Sequence, residues 1–177
     1  MNRSGRVDRE SVEQILGKWP KVSKQAAETT MKKYGPPHEA SPSRLIWHNN
    51  GPWKRTVIYA EEVEHHFPMP HHDVLEQYIS YKVPVEKFDD LAAFDGSVIV
   101  DRTKGEMSAR CEGEEANFLA LNLANEIVQG KKDVETARRI YGEAMKQRQA
   151  GNPPELMQKL LFPLSREYTG EVDRAII

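Results

Sequence analysis

Residues 117–128 carry Phe118, Leu119, Leu121, Leu123, Ala124, Ile127 and Val128 around much of the circumference of one predicted helix. A helix with a single apolar stripe can lie on a protein surface. One that is apolar on this much of its surface has to be buried, and a sheet is the natural cover. The rest of the chain must therefore supply strands.

It does so where the hydrophobic period changes from about 3.6 to 2. Residues 44–48 and 53–60 read as a hairpin turned at Asn49, Asn50, Gly51 and Pro52. In its second arm Trp53, Arg55, Val57 and Tyr59 alternate with Lys54, Thr56, Ile58 and Ala60. A third strand is predicted over about 74–83, with Leu75, Ile79, Tyr81 and Val83 on its apolar face. A second hairpin joins 97–103 to 106–111 through Lys104 and Gly105.

Helical spacing governs the two ends. Val12, Ile15, Leu16 and Trp19 recur at three and four until Pro20. A second helix through Val22, Ala26, Thr30, Met31 and Tyr34 stops at Gly35, because Pro36 and Pro37 forbid continuation. Pro84 opens a short helical stretch with Phe88, Leu91, Ala92 and Phe94. After Gly130, Asp133 is placed to cap a last long helix carrying Val134, Ala137, Ile140, Tyr141, Ala144 and Met145. The predicted class is α+β: an antiparallel sheet of four to five strands packed against N-terminal and C-terminal helices. Residues 1–151 are expected to form a single domain. Residues 152–177 are expected to be a tail with a short helix, packed on the domain or on a partner.

The stretch Lys33, Tyr34, Gly35, Pro36, Pro37, His38 and Glu39, followed by Leu45, Ile46 and Trp47, resembles the opening of small bacterial outer-membrane assembly lipoproteins. The resemblance covers about a fifth of the chain and implies only a local order of helix, Gly-x-Pro break and Trp-bearing strand. That family's secretion signal and lipid-attachment cysteine have no counterpart here, so no function follows from it.

With 38% hydrophobic and 29% charged residues in 177, the chain can build a core unaided. A net charge of -2 with interspersed signs gives no reason to expect a nucleic-acid or membrane partner. The single cysteine, Cys111, cannot make an internal disulfide, and no run approaches about 20 apolar residues, so a cytoplasmic location is the expectation.

Four of the six histidines lie in one segment: Glu64, His65, His66, Phe67, Pro68, Met69, Pro70, His71, His72, Asp73. Imidazole is the commonest side-chain ligand for divalent transition metals such as zinc, nickel or iron. Neighbours in an extended chain point opposite ways, so at most one histidine of each pair can face a given ion. The candidate ligands are His66, His71, His72 and Asp73, with Glu64, Glu76 and His48 as further donors. A solvated connection that merely tolerates histidines fits the same pattern, which matches no standard ligand spacing.

Three other groups are weaker candidates. The hairpin turn Asp101, Arg102, Thr103, Lys104, Gly105 and Glu106 could bind an anion, although charged turns commonly just protect an edge. Cys111 would be a nucleophile only with a histidine beside it. Trp47, Trp53, Tyr59, Tyr78 and Tyr81 could line a pocket, although core packing explains aromatics at strand spacing.

With no recognisable reaction chemistry, the leading expectation is a non-catalytic binding or interaction module. The apolar patch Leu156, Leu160, Leu161 and Phe162 is its candidate contact with a protein partner or a second copy. The alternatives are a metal-dependent enzyme built on residues 65–73, and a small-molecule pocket between sheet and helices.

Overall fold

A computed structural model describes residues 5–177, so the first four residues of the polar start lie outside it. Five helices are described: α1 (Arg9–Leu16), α2 (Lys21–Tyr34), α3 (Phe88–Phe94), α4 (Glu114–Val128) and α5 (Val134–Gln149). Six strands accompany them: β1 (Glu39–Ser41), β2 (Arg44–Asn50), β3 (Trp53–His65), β4 (His71–Ser80), β5 (Val98–Asp101) and β6 (Glu106–Cys111). The class is α+β, and the antiparallel sheet runs β1-β2-β3-β4-β6-β5. Six strands exceed the four to five expected. The addition is β1, a three-residue strand at Glu39–Ser41 that pairs antiparallel with β2.

The chain divides into two compact units. The first contains residues up to Gln77 and Arg110–Glu114. Its core gathers Val12, Leu16, Trp19, Ala26 and Ala27 from the helical end with Leu45, Trp47, Ile58, Val74 and Leu75 from the strands. Register explains the pairing, since Leu45 opposes Ile58 and Trp47 opposes Thr56 across β2 and β3. Buried indole N–H groups need acceptors. Trp19 donates to the Pro42 carbonyl and Trp47 to the Gly35 carbonyl, each at 2.9 Å. The second bond ties the glycine that ends α2 to the tryptophan of β2. It gives the helix, Gly-x-Pro break and Trp-bearing strand a physical unity.

β3 runs five residues beyond the predicted end, through a stretch that is polar and so shows no strand period. Its continuation has a tertiary cause. α2 starts after Pro20, which provides no side-chain cap. The Glu62 carboxylate of β3 does this instead, accepting from the backbone N–H of Val22 at 2.8 Å and of Ser23 at 3.1 Å. A carboxylate there satisfies exposed amides and complements the helix dipole.

The second unit contains Tyr78–Ala109 and Glu115–Ile177. α4 is buried along nearly its whole length, as its apolar circumference requires. Asn122 on α4 donates to the carbonyls of Leu156 and Lys159 at 2.9 and 2.8 Å and accepts from the Leu161 N–H at 2.7 Å. The Phe162 ring meets Tyr81 edge-on at 5.7 Å. This anchors the start of the C-terminal segment to its own unit. Further on, Thr169 donates to the Gly105 carbonyl at 2.7 Å. Gly105 has a positive φ of 64° and lies against the Thr169–Gly170 backbone where any Cβ would collide. Among the described residues no helix is long and apolar enough to cross a membrane.

Candidate metal centre

Because β3 ends at His65 and β4 begins at His71, three of the four histidines lie in strands, and residues 66–70 connect them. Alternation then separates the members of each pair. His65, His71 and Asp73 converge, with one donor atom from each lying within 4.8 Å of the others. His66 turns away to pair with Glu64 at 2.8 Å, both exposed. His72 stands outside the convergent group. Of the other candidate donors, Glu76 accepts from the Tyr59 hydroxyl at 2.8 Å, and His48 pairs with Glu39 at 2.6 Å. So the structure brings together His71 and Asp73 of the residues singled out from sequence, and adds His65.

Asp73 is the pivot. It is 1% exposed, yet it is a carboxylate, so it needs compensating partners. One oxygen lies 3.0 Å from His71 Nε2 and the other 3.3 Å from His65 Nδ1. Arg110 Nε stands 3.9 Å from that second oxygen. The two imidazoles are tilted against each other with centroids 4.9 Å apart.

The tautomer of His71 follows from its other nitrogen. Nδ1 lies 2.8 Å from the Met69 carbonyl, which can only accept, so Nδ1 carries the proton. In the neutral ring Nε2 is then a bare lone pair aimed at a carboxylate. Two acceptors cannot rest 3.0 Å apart without a positive charge between or on them. Without a metal that charge is a proton on His71. Burial opposes it, but hydrogen bonds with the Asp73 carboxylate and with Cys111 prevail, and the imidazole is pushed up to about 11. With a metal, the same arrangement is the one that ligating histidines use: a backbone carbonyl fixes Nδ1–H and frees Nε2.

Cys111, at the end of β6, places Sγ 3.3 Å from the same His71 Nε2. The histidine that a nucleophilic Cys111 would require is therefore present. The Asp73 carboxylate is not placed as in a nucleophile–histidine–acid triad, however. Such a triad puts acid and nucleophile on opposite ring nitrogens. Here both face Nε2, while Nδ1 is committed to Met69. Cys111 and Asp73 share one nitrogen instead of lining up in series.

The remaining candidates have structural partners. Trp47 and Trp53 are fully buried, and Trp53 donates to Glu114 at 2.7 Å. In the charged hairpin, Arg102 pairs with Glu171 at 3.3 Å and with Asp173, while Lys104 lies 3.6 Å from Asp101. Comparison with family models, curated proteins and solved structures finds no match, so no function is carried over from a relative.

Proposed function

We propose that this chain is a non-catalytic binding module whose ligand is a divalent transition metal, held by His65, His71 and Asp73. One observation carries the reading. Three donors of two chemical types converge within 4.8 Å, with the His71 tautomer set so that Nε2 is the ligating atom. Two imidazoles and one carboxylate suit zinc, nickel or iron better than calcium or magnesium, which prefer oxygen donors throughout.

Burial favours binding over catalysis. A catalytic ion keeps a position open to water or substrate. The side chains of His65, His71 and Asp73 are only 19%, 10% and 1% exposed, which leaves little room for a substrate to approach.

The test is the metal content of untagged protein, before and after reconstitution with zinc, set against a His65→Ala, His71→Ala double variant. The reading expects about one ion per chain, lost in the variant. Less than about a tenth of an ion per chain after reconstitution would overturn it.

A further inference from the structure

Three protein ligands leave a tetrahedral ion one donor short, and Cys111 Sγ lies 3.3 Å from one of the three donor atoms, His71 Nε2. Resting on the metal-binding reading above, we infer that Cys111 is the fourth ligand. The site is then a closed N2OS centre selective for a thiophilic ion such as zinc.

The spacing fits. In a tetrahedral site with metal–ligand bonds of about 2.0–2.3 Å, adjacent donor atoms stand about 3.4–3.6 Å apart. The observed separations are 3.0 Å for His71–Asp73, 3.3 Å for His65–Asp73 and 3.3 Å for His71–Cys111. An ion would have to spread these close pairs by about 0.1–0.6 Å and draw the wider-spaced donors inward, since the His65, His71 and Asp73 atoms stand up to 4.8 Å apart.

Charge and burial fit as well. A doubly charged ion with one carboxylate, one thiolate and two neutral imidazoles is electrically neutral, and the Arg110 guanidinium 3.9 Å from Asp73 is a quarter exposed, so solvent reaches the one positive charge left over. That suits a place where Asp73 is 1% and Cys111 7% exposed, since an unbalanced charge there would be expensive. A single buried thiol would mean nothing alone. Its weight here comes from its contact with His71 Nε2, one of the three convergent donor atoms. A thiolate also decides which ion is held, because sulfur favours zinc and disfavours magnesium, calcium and manganese.

Cobalt(II) titration of the full chain, with a phosphine as reductant, tests this. Tetrahedral cobalt bound by a thiolate shows an intense sulfur-to-metal charge-transfer band in the near ultraviolet alongside its visible bands. The wild-type protein is expected to develop both. Cys111→Ser is expected to lose the near-ultraviolet band, retain a visible spectrum and bind more weakly. Stoichiometric cobalt with no charge-transfer band in the wild type would overturn the assignment of Cys111 while leaving the three-ligand reading standing. No cobalt binding at all would remove both. The wild-type spectrum decides the matter even if the variant folds poorly.

Discussion

Glu114, the first residue of α4, holds the first unit together at a point remote in sequence from most of its partners. One carboxylate oxygen accepts from the Tyr34 hydroxyl at 2.7 Å, the Trp53 indole at 2.7 Å and the Gln77 amide at 2.9 Å. The other accepts from Lys33. Replacement by alanine removes all four bonds and deprives deeply buried donors of a charged acceptor. Bonds to charged groups are each worth about 1.5–3 kcal/mol and are not additive. Lys33 is more than half exposed, so its pair adds little. The remaining three bonds give an expected loss of about 3–5 kcal/mol for Glu114→Ala. Glutamine keeps one carbonyl oxygen for the three-donor side and turns its amide toward Lys33, which can swing into solvent. Its expected cost is about 1–2 kcal/mol. Urea unfolding followed by tryptophan fluorescence measures both. With a slope of about 2 kcal/mol per molar, alanine shifts the midpoint by about 2 M and glutamine by less than about 1 M. Loss of under about 1 kcal/mol for alanine, or equal losses for the two variants, would refute the idea that the carboxylate is a hub.

The same residue sets a pH dependence. Burial raises the Glu114 carboxyl, but hydrogen bonds from Lys33, Tyr34, Trp53 and Gln77 outweigh it and hold it below its ordinary 4.5. A folded-state value below the unfolded one means the stabilisation is present above about pH 4.5 and disappears as pH falls through the lower folded value. Stability curves at several pH values should be flatter below 4.5 in Glu114→Gln than in the wild type; parallel curves would contradict this. Glu62→Ala removes the side-chain cap at the start of α2 and should cost about 1 kcal/mol in the same urea assay, whereas no change would mean that solvent caps the helix equally well. Gly105→Ala drives a Cβ into the Thr169–Gly170 backbone, so the segment after Ser165 should become more sensitive to limited proteolysis; an unchanged digest would show that the contact does not hold it. Asn122→Ala removes three hydrogen bonds to the backbone at residues 156–161 and should speed amide exchange there; unaltered exchange would contradict the anchoring role.

What the sequence reveals and what it hides divide along physical lines. α4 is legible because an apolar circumference has one solution, and α2 because Gly35, Pro36 and Pro37 leave no way to continue. The end of β3 is illegible because Glu61, Glu62 and Glu64 show no strand period. Glu62 is placed there to cap a helix 40 residues earlier, a contact that local pattern cannot contain. The candidate site follows the same rule. Alternation allows one histidine from each pair to face an ion, but which one depends on where β3 and β4 end. The His71-x-Asp73 spacing on one strand was the readable signal, since residues two apart share a face. His65 needed the strand boundary. Cys111 needed the sheet order, in which β6 lies beside β4 although α3 and β5 intervene in the chain.

The most direct measurement of the central claim is zinc affinity by competition with a chromophoric chelator, at neutral pH, on the full chain. Binding of one zinc per chain is expected, lost in His71→Ala and kept in His66→Ala, because His71 faces the convergent donors while His66 pairs with Glu64. Failure of the wild type to compete for zinc, or equal loss in both variants, would contradict the account and leave Asp73 as the centre of a buried ion-pair network.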